Sequence, residues 1–248
     1  SKNGSAAMEY FYTPPHLITH NELTIEGDEF AHLTHVMRKR VGDMLLVVDG
    51  AGRAYEVIIK EVSRRTARCS ITARRERLHE PGIAVTLAVA LLKNAARFDV
   101  LVEKATEIGV VAIVPLLTKR TIPEHPKTER WQKLALAAMK QSGRCVLPRV
   151  HEPVSLTDFV HTSPANCLKV IPHEQETART ISSLLTSYSS ASVVICIGPE
   201  GGFTDEEIAV AAGAGFHTVS LGPRRLRTET AAIVASAAII LHHPAQTQ

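Results

Sequence analysis

Cysteine is scarce in this chain and nowhere arranged for chemistry. The four cysteines, at 69, 145, 167 and 196, form no CxxC pair and no paired pattern. That excludes a disulfide framework and a thiolate zinc site, and it fits a reducing, cytoplasmic setting. A large excess of one charge is also missing. The net charge is +3, too mild to identify a nucleic-acid binder on its own. No signal peptide is evident, and the most apolar stretch, Ala231–Leu241, is too short to cross a bilayer. No internal repeat is visible. A GxGxxG after the first strand of the α/β region is absent, since Leu91-Leu-Lys-Asn-Ala-Ala96 has no glycine, and this argues against a Rossmann dinucleotide site. His16 and His20 have the i, i+4 spacing of a helical metal pair, but Pro14-Pro15 interrupts a helix there, so no metal site is expected.

What is present is an ordinary globular composition, 45% hydrophobic and 21% charged over 248 residues, enough for one large domain or two smaller ones. Ser1–Ala7 reads as a tag remnant, with Met8 the native start. From Met8 to about Leu78 strands dominate: Leu23–Ile25, Met44–Asp49, Ala54–Val62 and Arg68–Ala73, with one short helix within Gly27–Met37. Short strands joined by glycine turns predict a small β-barrel. The polar Glu76–Gly82 stretch, which contains Pro81-Gly82, reads as a linker. Beyond it strand and helix alternate. Strands are expected at Ile83–Leu92, Val110–Leu116, Cys167–Ile171, Val193–Ile197 and His217–Leu221. Helices are expected at Arg97–Ile108, Thr128–Ser142 and around Thr177–Leu185, whereas 120–127 and 151–166 are loop-like. The alternation predicts a mostly parallel α/β sheet with helices on both faces. The expected domains are therefore 8–78 and 79–248.

One stretch organises the second domain. Val193–Ile197 is an unbroken apolar run, the signature of a strand buried on both faces, and it stops at Gly198-Pro199-Glu200-Gly201-Gly202. Thr204 and Glu207 have capping-box spacing for the next helix. About twenty residues on, His217–Leu221 leads into Gly222-Pro223-Arg224-Arg225-Leu226-Arg227, after which Thr228 is placed to cap a helix that is apolar nearly all round. Two successive strand ends thus carry Gly-Pro loops where open α/β sheets bind ligands, and the second loop is basic.

IGPEGGFTDEE followed by LGPRRLRTETA resembles the knotted SPOUT-class RNA methyltransferases, and within them the RsmE family, which methylates N3 of a uridine in 16S ribosomal RNA. EKATEIGV, with Lys104, Glu107 and Gly109, resembles the family's K-x-x-E-L/I-G helix end, and Gln141–Arg144 a segment near its active site. The resemblance covers the chain from Met8. It implies a PUA-like RNA-binding barrel followed by a knotted SPOUT domain, a homodimer, and 16S ribosomal RNA or the small ribosomal subunit as partner. It implies S-adenosylmethionine held by three strand-end loops: Pro172 and His173; Ile197, Gly198, Pro199, Glu200, Gly201 and Gly202; and Leu221, Gly222 and Leu226. It also implies RNA contacts at Arg38, Lys39, Arg40, Lys93 and Arg144. Three positions depart from the family pattern. Asn94 stands for a glycine, as the non-glycine residue that best tolerates a left-handed turn; Lys140 stands for an acidic residue; and Arg225 stands for an aliphatic one.

Uridine N3 carries a proton at neutral pH, so its methylation needs a base and something to stabilise the anion. Glu200 and Glu229 are the candidate bases, and Arg224 and Arg227 the candidate stabilisers. For Glu229 the alternative is charge compensation at a helix N-terminus; for the arginines it is phosphate binding. Two other functions fit the same pattern: ribose 2′-O methylation of transfer RNA on the same fold, and RNA binding without catalysis.

Overall fold

A computed structural model describes residues 9–121 and 125–243; Met8, the residues before it and 122–124 lie outside them. The chain divides into two compact units. One holds the residues up to Glu80 together with Met139–Leu147, and the other holds Pro81–Ala138 and the residues from Pro148 onward.

The first unit contains β1 (Tyr10–Tyr12), β2 (Glu22–Glu26), α1 (Gly27–Ala31) running into one π turn (His32–Val36), β3 (Met44–Val48), β4 (Arg53–Val62) and β5 (Thr66–Glu76). The sheet order is β1-β3-β4-β5-β2, antiparallel except where β1 pairs with β3. Along each strand alternate side chains turn inward, as the pleat requires. Phe11 on one edge strand and Leu23 and Ile25 on the other share a single core with Val47, Val57, Ile59 and Cys69. Residues at both edges of a five-stranded sheet meet in one core only if the sheet curls, so the small barrel takes the form of a curled half-barrel with β1 and β2 as its edges. After the π turn, Arg38 adopts φ 53°, a left-handed conformation uncommon for a side chain of this size. Arg38 and Arg40 are exposed and Lys39 is half-buried.

Met139–Leu147 joins this unit through a buried ion pair. Arg144 Nη2 lies 2.7 Å from Glu80 Oε2, with side chains 2% and 0% exposed. Glu80 Oε1 also accepts the backbone N–H groups of Cys145 and Val146, each at 2.9 Å. Arg144 therefore cannot serve as the expected RNA contact: its guanidinium is buried on a carboxylate. Glu80, in the expected linker, is an anchor point. Lys140, the departure from the family's acidic residue, pairs with Glu29, whose other oxygen accepts the Tyr12 N–H.

The second unit contains β6 (Ala84–Ala90), α2 (Ala95–Ile108), β7 (Ala112–Leu117), α3 (Thr128–Gln141), β8 (Arg149–Val150), β9 (Val154–Ser155), α4 (Leu156–Thr162), β10 (Leu168–Pro172), α5 (Ile181–Ser187), β11 (Ser192–Ile197), α6 (Asp205–Gly213), β12 (His217–Val219) and α7 (Thr228–His242). The last turn of α3 belongs to the first unit. The sheet is parallel throughout, in the order β12-β10-β11-β6-β7-β8, with β9 beside the far end of β7. β11 has a hydrogen-bonded neighbour on each side and Val193–Ile197 fully buried, as its unbroken apolar run predicts. The stretch 151–166 is not simply a loop. It contains β9 and α4, a helix of seven residues capped by Ser155, too short to give a helical period. Asn94 is not left-handed: at φ −102° it caps α2, accepting the Ala96 N–H. Gly109 ends α2 at φ 123°, and a Cβ there would lie 2.4 Å from Pro81 Cγ, so glycine is required by both backbone and space.

Replacing Arg144 with Leu leaves the Glu80 carboxylate buried without its counter-charge, which should cost about 3–5 kcal/mol of stability. Denaturant midpoints of wild type and variant test this; an unchanged midpoint would contradict it.

Candidate functional site

Because the sheet is parallel, all its carboxyl ends lie along one edge. β12, β10 and β11 are adjacent there, with Pro172 level with Val219 and Val89 of β6 level with Ile197. Three loops therefore leave one stretch of edge. The first is organised by Glu176, whose Oε1 accepts the N–H groups of Ala178 and Arg179 and whose Oε2 accepts the Thr218 hydroxyl. Those backbone N–H bonds, from Arg179 first, hold the Glu176 carboxyl below its ordinary range. His173 N–H donates to Val219 O at 3.0 Å, so Pro172 and His173 sit beside the end of β12, both half-buried.

The second loop turns tightly, with Gly202 N–H on Pro199 O at 2.8 Å. Gly202 is left-handed at φ 72° with open space beyond its Cα, and a Cβ on Gly198 would press on the Phe203 ring at 3.1 Å. Arg120 donates to the carbonyls of Gly201 and Phe203. Thr204 and Glu207 form the expected capping box of α6. Buried Glu207 does more than cap, since its Oε1 accepts the Lys119 N–H at 2.8 Å. The 118–120 segment thus braces the glycine loop from outside.

The third loop is open to solvent. Arg224, Arg225 and Arg227 are exposed, while Leu221 and Leu226 are half-buried. Among the described residues no protein acceptor takes the backbone N–H of Leu221 or Leu226. Thr228 does not cap α7. It is the first helical residue, with Arg227 at the cap position, and its hydroxyl donates to Gly198 O at 3.0 Å, which ties the third loop to the second.

The site is closed by a residue from a different part of the chain. Arg97, in the first turn of α2 after β6, donates through Nε and Nη2 to both oxygens of Glu229 and through Nη1 to Glu200 Oε1 at 2.8 Å. β6 and β11 are neighbours, so the helix after one strand reaches the loop after the other across 103 positions of sequence. Burial alone would raise the Glu229 carboxyl. Hydrogen bonds from Arg97 and from its own backbone N–H, together with the charges of Arg97 and Arg227, outweigh it and hold the carboxyl below its ordinary range.

Comparison with known proteins fits this arrangement. A family profile described as an RNA methyltransferase domain matches residues 79–240, and one described as an RNA methyltransferase PUA domain matches residues 25–72. The chain is 35% identical to the ribosomal RNA small subunit methyltransferase E of Synechocystis over 96% of its own length and 79% of that protein's. It is 30% identical to the Bacillus subtilis protein of the same name, over 87% and 88%. The chain belongs to the ribosomal RNA small subunit methyltransferase E family. Among solved structures, the Neisseria gonorrhoeae family member bound to S-adenosylmethionine superposes with a TM-score of 0.85 at 29% identity, over 95% of this chain and 98% of that one. A Legionella pneumophila methyltransferase in complex with the same cofactor superposes with a TM-score of 0.81 at 30% identity, over 96% and 99%.

In this RsmE-family chain the sequence pointed to the three loops but not to Arg97, Arg120 or Glu176, which hold them. Nothing in the neighbouring sequence marks any of the three, and the partner of each is named only by the fold. Of the residues expected to act together, Glu200 and Glu229 meet through Arg97, and Glu200 O accepts from Arg225 at 3.5 Å. Lys93 is exposed just past the carboxyl end of β6. Arg38, Lys39 and Arg40 belong to the other unit.

A depressed carboxyl contributes stability that is complete above the ordinary glutamate value, near pH 4.3, and is lost as the pH falls through the folded value. Glu229→Gln should therefore lower stability at pH 7 by about 1–2 kcal/mol. The difference from wild type should shrink as the pH is taken below about 4. Unfolding curves at both pH values check this, and a pH-independent difference would refute the ion pair as its source.

Proposed function

We propose that this protein transfers a methyl group from S-adenosylmethionine to N3 of a uridine in the 16S RNA of the small ribosomal subunit, in the cytoplasm. The observation that carries the proposal is the meeting of three loops at the carboxyl ends of adjacent parallel strands. They meet in a chain whose family is named for small-subunit RNA methylation.

The residues fit the cofactor. Gly202 leaves room for close approach, and Leu221 and Leu226 offer backbone N–H groups and apolar side chains suited to the adenine. Pro172 and His173 complete the wall. When bound there, S-adenosylmethionine supplies an electrophilic methyl on a sulfonium. The chain's own task is to hold the uridine in line with that methyl, and such positioning can supply much of the rate. Arg224 and Arg227, exposed beside the loops, provide cations for RNA phosphate or for the anion of the deprotonated base. Arg38, Lys39, Arg40 and Lys93 supply further phosphate contacts, and the PUA-like unit is the RNA-binding module. Ribose 2′-O methylation of transfer RNA and non-catalytic RNA binding are the readings that the experiment below separates from this one.

Isothermal titration with S-adenosylmethionine should give saturable binding that Gly202→Val removes, because a β-branched residue resists φ 72°. Incubation with cofactor and small subunits, followed by mass spectrometry of the RNA, should then place one methyl on a uracil base. A methyl on ribose, or cofactor binding without transfer, would reject the proposal.

We further propose a homodimer built on α7. That helix buries Ala232, Ala235, Ile239 and Ile240 against its own unit yet leaves Val234 41% and Leu241 79% exposed, with exposed Ala238 between them. A second copy would cover this stripe. Ala238→Glu would place an unpaired carboxylate in the interface. Analytical ultracentrifugation at micromolar concentration should show a wild-type dimer and a variant monomer, and a monomeric wild type would refute the pairing.

A further inference from the structure

The site holds two carboxylates but one arginine that bonds both, and the bonding is unequal. Arg97 grips Glu229 with two hydrogen bonds, one to each oxygen, and Glu229 is only 14% exposed. Glu200 receives a single bond, on Oε1, and is 44% exposed. Its Oε2 accepts from no protein donor among the described residues. The groups around the pair are Arg97 from α2, Arg225 and Arg227 from the third loop, and Arg120 on the far side of Gly201. Glu200 is thus the carboxylate on this edge that is oriented yet still has a free oxygen. Two arginines orient it: Arg97 on the side chain and Arg225 on the backbone carbonyl.

Resting on the methyltransferase reading above, we infer that Glu200 is the proton acceptor for uridine N3, that Arg97 is the positioning residue that aims it, and that Glu229 fixes Arg97. In this step the N3–H bond breaks, the proton passes to Glu200 Oε2, and the electron pair stays on N3 as the nucleophile. Glu229 is unsuited to that task, with both oxygens engaged and its carboxyl depressed. A base must be within reach of the proton it takes and must have a free lone pair when the substrate arrives.

The experiment follows single-turnover methylation of small subunits against pH, with S-adenosylmethionine affinity measured separately by titration calorimetry. Glu200→Gln should slow transfer at neutral pH about 100-fold or more, while cofactor affinity stays within about threefold, because the substitution keeps the side chain's size and leaves the loop's backbone unaltered. Its rate should climb back toward wild type at high pH, where hydroxide removes the N3 proton, and a purely structural role for Glu200 would not give that recovery. Arg97→Gln should lower kcat with little change in KM for the subunit, and Arg97→Lys should restore part of the loss. Glu229→Gln should keep the wild-type shape of the pH profile even where its rate is lower. A Glu200→Gln enzyme that keeps its neutral-pH rate, or that loses activity equally at every pH, overturns the assignment. So does a flattened profile in Glu229→Gln. A wild-type protein that transfers no methyl would instead remove the reading on which the inference rests.

Discussion

The register of β11 between β6 and β10 is the constraint on which the rest of this structure depends. A strand buried on both faces and paired in parallel on both sides is held in place by two hydrogen-bond ladders and by close packing above and below it. Its neighbours end level with it, and every loop that leaves the edge beyond Ile197 inherits that alignment. β6 and β11 are also where the strand order reverses. The chain builds outward from β6 to β7, β8 and β9, then returns to fill the other side with β10, β11 and β12. The crevice at such a reversal is left open by topology, and the glycine loop and the first turn of α2 face each other across it.

Alignment alone would leave those loops soft, and charge stiffens them. Arg97 links the second loop to the start of α7, Arg120 pins the carbonyls of Gly201 and Phe203, and Glu207 joins α6 to the segment after β7. Each is a charge-assisted hydrogen bond, stronger than a neutral one, and each joins elements far apart in sequence. These side chains fix the frame of the glycine loop. The same principle operates in the first unit, where buried Arg144 and Glu80 fasten Met139–Leu147 to the half-barrel. The departures from the family pattern also find partners, Lys140 on Glu29 and Arg225 on the Glu200 carbonyl.

Much of this was legible in the residues themselves. The apolar run Val193–Ile197 pointed to a central buried strand, because a short, mostly β-branched apolar run that stops at Gly198-Pro199 suits a strand covered on both faces. Thr204 and Glu207 determined the start of α6, and Gly109 the end of α2, since caps are local chemistry written within four residues. The paired Gly-Pro loops determined the family. Tertiary structure decided what depends on distance through space. It made Thr228 a tie to Gly198 rather than a cap, Asn94 a cap rather than a left-handed turn, and Arg144 a buried counter-ion rather than an RNA contact. It also gave Glu200 and Glu229 a common partner in Arg97, over a hundred positions away in the chain. A propensity or a cap is settled by neighbours in sequence; the partner of a charge is settled only when the sheet brings two strand ends side by side.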